Sequence, residues 1–180
     1  LLVVGLLDRP DLQAARLMSG VIALLAEHGE ALFAAASAHG TNLYYEASVC
    51  GGIPSIKALR EGFVGNRIIA LYGIVNGTCN YILTRMKLEG ADFDAVLSDA
   101  QKQGYAETPP DLDIDGWDSQ HKIGILASLA HGFWVNPKHI HVEGIRHISS
   151  LEMKFASDLG DTIKLLGIVK RIEGSKDKPA

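Results

Sequence analysis

The sequence predicts an α+β fold in which a sheet is covered by helices on one face. Two observations lead there. Strand-like and helix-like segments mix without the regular β-α-β alternation of a doubly wound sheet, and 47% hydrophobic against 21% charged residues in 180 gives a globular composition with enough apolar material for a core. One domain, or one and a fragment of another, is the expectation from length.

Asp11 to Gly40 reads as helix, rich in alanine and leucine, broken by Gly20 and Gly29 and stopped at Gly40. Asn42 to Val49 reads as a strand, because Leu43, Tyr44, Tyr45 and Val49 suit a pleated surface. Pro54 then opens a short helix that ends at Gly62. Arg67 to Val75 is an apolar run of strand length, closed by the turn residues Asn76-Gly77-Thr78. Helices follow over Thr78 to Glu89, stopped by Gly90, and Asp92 to Gln103, stopped by Gly104. Tyr105 to Asp115 carries two prolines and four acidic residues without periodicity and reads as a long loop. Asp115 is placed to cap the next helix, which runs to about His131 with Ile123, Leu126, Ala127 and Ala130 on one face. Ile140 to Ile145 reads as a strand, and Ser149 with Glu152 as a capping box for a helix ending near Gly160. Ile163 to Ile172 is the last strand, before a charged tail expected to fray.

Charge narrows the partners. Lys and Arg number 17 against 21 Asp and Glu, a net charge of −4, whereas a protein that neutralises phosphates carries a basic excess. No nucleic acid is therefore expected. The unbroken apolar stretches, such as Val21 to Ala26 and Ile68 to Val75, fall short of the roughly 18 residues of a spanning helix, so no membrane is expected either. Cys50 and Cys79 allow one disulfide at most, and reduced thiols are the simpler reading. Leu1 to Leu7 lacks the basic lead-in of a signal peptide, which makes the cytoplasm the default.

Candidate chemistry gathers in the acidic loop. Glu107, Asp111, Asp113 and Asp115 precede a helix on which Asp118 and Lys122 stand four apart and share a face. Such a pair is either a solvated ion pair contributing a few tenths of a kcal/mol or a lysine that handles a proton at a substrate oxygen. Gly51-Gly52-Ile53-Pro54 and Asn76-Gly77-Thr78 are plain turns, or places where backbone approaches a ligand. No G-x-G-x-x-G or G-x-x-x-x-G-K-[ST] phosphate cradle occurs. His139 and His141 would share one face of the predicted strand, but no third ligand with second-shell support accompanies them.

Four motifs in order extend this reading. Tyr45 to Pro54 (YEASVCGGIP), Gly73 to Leu83 (GIVNGTCNYIL), Ala100 to Glu107 (AQKQGYAE) and Asp113 to Lys122 (DIDGWDSQHK) resemble the catalytic region of homoserine dehydrogenases, and Val142 to Ile145 and Ile163 to Gly167 resemble the family's later strands. The resemblance implies an oxidoreductase that interconverts L-aspartate 4-semialdehyde and L-homoserine with NADP or NAD as cofactor, on the route to threonine and methionine. It implies Lys122 as proton donor to the aldehyde oxygen, and Asp118 and Glu107 as holders of the substrate's amino and hydroxyl ends. Asp113 would lie near them, with Thr78 and Tyr105 lining the pocket. Backbone oxygens of Glu46, Val49, Gly51 and Ile53 would bind a monovalent cation such as sodium, and the subunit would pair as a homodimer. The alternative is a non-catalytic oligomerisation or regulatory module derived from the same domain.

Departures are equally visible. Thr108-Pro109-Pro110 follows Glu107 where the family has Asp-Pro, and Gly20-Val21-Ile22 stands where its T-A-N-K motif is expected. The Rossmann-type dinucleotide domain is largely missing from the chain. Residues 1–40 are then a remnant of it or a helical lead-in, 41–172 a catalytic and dimerisation domain, and 173–180 the tail. The 180 residues alone are expected to catalyse nothing measurable, because hydride transfer needs the nicotinamide held at the substrate carbon.

Overall fold

The computed structural model describes residues 12–171. They form eight α-helices and two strands: α1 (Leu12–Ala38), α2 (Ala47–Cys50), α3 (Ser55–Lys57), β1 (Ala70–Gly73), α4 (Gly77–Glu89), α5 (Phe93–Lys102), α6 (Asp111–Ile114), α7 (Trp117–His131), α8 (Ser150–Asp158) and β2 (Gly167–Lys170). A π-helical turn at Ala58–Gly62 continues α3, and a 3-10 turn covers Pro137–His139. The strands pair with each other, so the α+β class holds, with a sheet of two strands among the described residues.

The chain divides into two compact units. In the described residues one takes 12–72, Gln120–Ile140 and 168–171, and the other Gly73–Ser119 and His141–Gly167. In the first, α1 runs through Gly20 and Gly29 without a break, correcting the broken helix expected. Gly29 is required by packing rather than by a turn: a Cβ there would lie 2.0 Å from the Trp134 ring. Ile22, Leu25 and Ala26 form the buried stripe of α1, and Phe33 meets the rings of Tyr45 and Trp134. Over Gly20–Ala38 the helix is also long and apolar enough to cross a membrane by length and mean hydropathy, a property that counting unbroken apolar residues overlooks. Core helices pass the same test.

The second unit is built on α4. Cys79, Ile82, Leu83 and Met86 on its inner face pack with Phe93, Val96 and Ala100 of α5, with Ile114 and Ile145, and with Met153 of α8. Local signals work well here. Gly90 ends α4 at φ 65°, and Gly104 and Gly160 follow α5 and α8 with φ of 78° and 83°. The capping box is complete, Ser149 Oγ accepting from Glu152 N while the Glu152 carboxylate accepts from Ser149 N.

Several expectations are corrected. Asn42 to Val49 is not a strand: 41–46 is irregular and α2 follows. Both Glu46 carboxylate oxygens accept main-chain N–H groups at the start of the next helix, Ile56 N and Lys57 N, each at 2.8 Å, so the chain turns back where a strand would continue. Ile140 to Ile145 makes no ladder either, and Ile145 N donates to Ile114 O at 2.7 Å. The Tyr105–Asp115 loop contains a helical turn, α6, and Asp115 closes that turn instead of capping α7 with its side chain, which is bound by Arg146. The strands at 67–75 and 163–172 shorten to four residues each. The expected tail at 173–180 and the first eleven residues lie outside the described residues.

Candidate active site

The N-terminus of α4 organises the site. Asn76 is its N-cap, the side-chain oxygen accepting from Cys79 N at 2.8 Å. The amide nitrogen of the same side chain donates to two carboxylates, Asp113 Oδ1 at 2.7 Å and Asp118 Oδ2 at 2.8 Å. Both Asn76 and Asp118 are buried. The Cys79 thiol reaches the Asp113 carbonyl at 3.2 Å, so α4 holds Asp113 by main chain and side chain together.

Around that centre Thr78 Oγ1 donates to the Tyr105 carbonyl at 2.8 Å, and the Tyr105 ring packs on Tyr81 with centroids 4.8 Å apart. Gln101 Nε2 donates to the Glu107 carbonyl at 3.1 Å, tying the loop that carries Glu107 to α5. The second unit therefore brings Thr78, Tyr105, Asp113 and Asp118 together and anchors Glu107 in the same loop. Lys122 follows Asp118 by four residues on α7, which gives the two side chains one helical face.

The aspartates of the loop and of α7 divide by role. Arg146 donates from Nε to Asp115 Oδ1 at 2.8 Å and from Nη2 to Asp115 Oδ2 at 2.9 Å and Asp111 Oδ1 at 2.5 Å. These hydrogen bonds hold the Asp115 carboxyl below the usual aspartate range and push the guanidinium of Arg146 up. Asp111 and Asp115 thus brace the loop, while Asp113 and Asp118 face Asn76. The sequence reading placed Asn76 in a turn, with no role for its side chain, and gave Arg146 no role. The legible signal for Asn76 was its place before Gly77-Thr78, at a strand-to-helix junction that favours an asparagine cap.

The four residues implied for a cation share one stretch of the first unit. Val49 is buried in α2, Gly51 follows at φ 57°, and Ile53 is exposed. The Glu46 carbonyl accepts from Val49 N at 3.1 Å and that of Ile53 from Ser55 N at 2.8 Å, which leaves each oxygen a second lone pair. Gly51 takes a positive φ that glycine accommodates without strain. His139 ends the 3-10 turn and is not in a strand, and His141 pairs with Glu143. No group of three or more His, Cys, Asp or Glu side chains suited to a metal occurs among the described residues.

Comparison with known proteins bears on the family. The family model described as homoserine dehydrogenase matches residues 54–176. A homoserine dehydrogenase from Synechocystis is 50% identical over 146 residues, which are 81% of this chain and 34% of that protein. One from Bacillus subtilis is 43% identical over 153 residues, 85% of this chain and 35% of that protein. Among solved structures, a homoserine dehydrogenase from Thiobacillus denitrificans superposes with a TM-score of 0.82 at 45% identity, covering 89% of this chain and 40% of that one. The chain spans about a third of the length of the curated relatives it matches.

Proposed function

The chain belongs to the homoserine dehydrogenase family, and on that premise we propose that it is the substrate-holding, proton-handling part of an oxidoreductase interconverting L-aspartate 4-semialdehyde and L-homoserine. The observation that carries the proposal is the pair of carboxylates, Asp113 and Asp118, tied to one buried amide at the head of α4, with Lys122 one turn further along α7. Reduction of the aldehyde makes an alkoxide, and an ammonium within hydrogen-bond reach is the group to quench it. Lys122 takes that role and gives its proton to the substrate oxygen. Asp118 and Glu107 take the amino and hydroxyl ends of the substrate, with Asp113 beside them and Thr78 and Tyr105 as lining.

NADH or NADPH supplies the hydride. The chain contains no glycine fingerprint, and its residues are assigned no part in holding the dinucleotide. Main-chain oxygens of Glu46, Val49, Gly51 and Ile53 would hold a monovalent cation such as sodium, and residues 41–172 would form the catalytic and homodimerising region. A cytoplasmic setting, without nucleic acid or membrane as partner, fits a biosynthetic dehydrogenase. Nothing in the geometry favours a non-catalytic module.

The test is direct. The full-length protein is expected to oxidise NADPH when given aspartate semialdehyde and to sediment as a dimer at micromolar concentration. Absence of any semialdehyde-dependent NADPH oxidation removes the enzymatic reading, and a stable monomer removes the dimer.

A further inference from the structure

We propose that Asn76 is a positioning residue of this site, its amide fixing the separation and orientation of the Asp113 and Asp118 carboxylates against the substrate. The inference rests on the function proposed above and assigns a role to a residue that touches neither proton nor hydride. Two like charges brought to one nitrogen repel each other, and a neutral side chain with two N–H groups can satisfy both without itself titrating. Asn76 has those two groups, and they go to the two different carboxylates, at 2.7 and 2.8 Å.

Its orientation is not free. Asn76 Oδ1 accepts from Cys79 N at 2.8 Å, so the α4 backbone decides which end of the amide faces the aspartates. A flipped amide would present oxygen to two carboxylates and nitrogen to an N–H, losing all three bonds. The bridge joins residues 37 and 42 positions away in sequence to the first turn of one helix. It is also buried, Asn76 being 3% and Asp118 4% exposed, where the alignment of such bonds is least disturbed by water.

Capping and bridging are separable by substitution. Serine and aspartate are good N-caps and preserve the first function, but neither offers two N–H groups. In the full-length enzyme Asn76→Ser is expected to fold and to keep the KM for NADPH, with a lowered melting temperature because the buried Asp118 loses a donor. Its kcat/KM for the semialdehyde should fall on the order of 100-fold, the effect of misplacing a positioned group by an ångström. Asn76→Asp adds a third carboxyl to the cluster, and like charges raise its pKa. Once protonated it donates one hydrogen bond, so the ratio of its kcat/KM to that of the wild type should rise as pH falls, whereas the Asn76→Ser ratio should stay flat.

A wild-type kcat/KM in Asn76→Ser, or a pH-independent ratio in Asn76→Asp, overturns the proposal, since a cap alone predicts both. Should the variants fail to fold, the wild-type enzyme still answers: both side-chain amide protons of Asn76 should exchange with solvent far more slowly than those of an exposed asparagine, and fast exchange overturns the bridge. A wild-type enzyme inactive on the semialdehyde brings the proposal down through the functional reading instead, an outcome distinguishable because the variants are measured against it.

Discussion

Gly144 lies against the main chain at Ile114 so closely that a Cβ on it would stand 2.3 Å from the Ile114 carbonyl oxygen and 2.6 Å from the Asp115 Cα. The next residue uses the approach, Ile145 N donating to that same carbonyl at 2.7 Å. The contact fixes the end of α6, one residue beyond Asp113. Gly144→Ala should therefore destabilise the full-length protein by about 1–3 kcal/mol, the usual cost of overpacking, since backbone cannot yield as a flexible side chain can. Thermal unfolding measures it, and an unchanged melting temperature would contradict the approach.

Lys122 separates the two readings of its helix. If it donates the proton, Lys122→Ala lowers kcat by about two to four orders of magnitude, the range for losing a positioned general acid. Lys122→Arg should not restore the rate, because guanidinium stays protonated at any working pH and cannot cycle. Steady-state kinetics with the semialdehyde decides. Near-normal turnover in Lys122→Ala would leave only the solvated ion pair.

The Arg146 clamp carries an acid dependence whose sign is fixed. Hydrogen bonds from Arg146 lower the pKa of Asp115 from its ordinary value of 3.8, so the folded state favours the ionised form. The stabilisation is complete above pH 3.8 and fades as pH falls through the lower folded-state value. Arg146→Met should then lower the melting temperature at neutral pH, and the gap from wild type should narrow as pH falls below about 4. A gap that persists unchanged at pH 3 would show that Arg146 acts by packing alone.

Legibility followed how local the cause was. Gly90, the Ser149–Glu152 box and the α4 and α5 boundaries could be read because caps and stop signals act within a few residues. The loss of the Asn42 to Val49 strand could not, because the carboxylate that turns the chain meets its partners ten and eleven residues on. Lys122, Asp118 and Asp113 were named as site residues by motif resemblance. Asn76 and Arg146 were not, since an N-cap and a surface arginine look ordinary until the fold brings aspartates from 31 to 42 residues away.

His131 supplies a second acid sensitivity, of the same sign but near neutrality. It ends α7, its Nε2 is buried without a hydrogen-bond partner, and its ring stacks on Phe133 with centroids 6.3 Å apart. Burial, and secondarily the charge of Arg171, lowers its pKa from the ordinary 6.5. The folded state therefore prefers the neutral ring, while the unfolded chain takes up a proton near pH 6.5. Stability is highest above that value, declines as pH falls from it to the lower folded-state pKa, and levels off below, because the unfolded state binds more protons across that window. His131→Phe removes the titration. In matched thermal scans of the full-length protein, the melting temperature of His131→Phe relative to wild type should rise as pH is lowered from 7.5 to 5. All other groups are common to the two proteins and cancel in the difference. A difference that stays constant over this range would mean that His131 titrates alike in the folded and unfolded chains, and its burial would then carry no acid sensitivity.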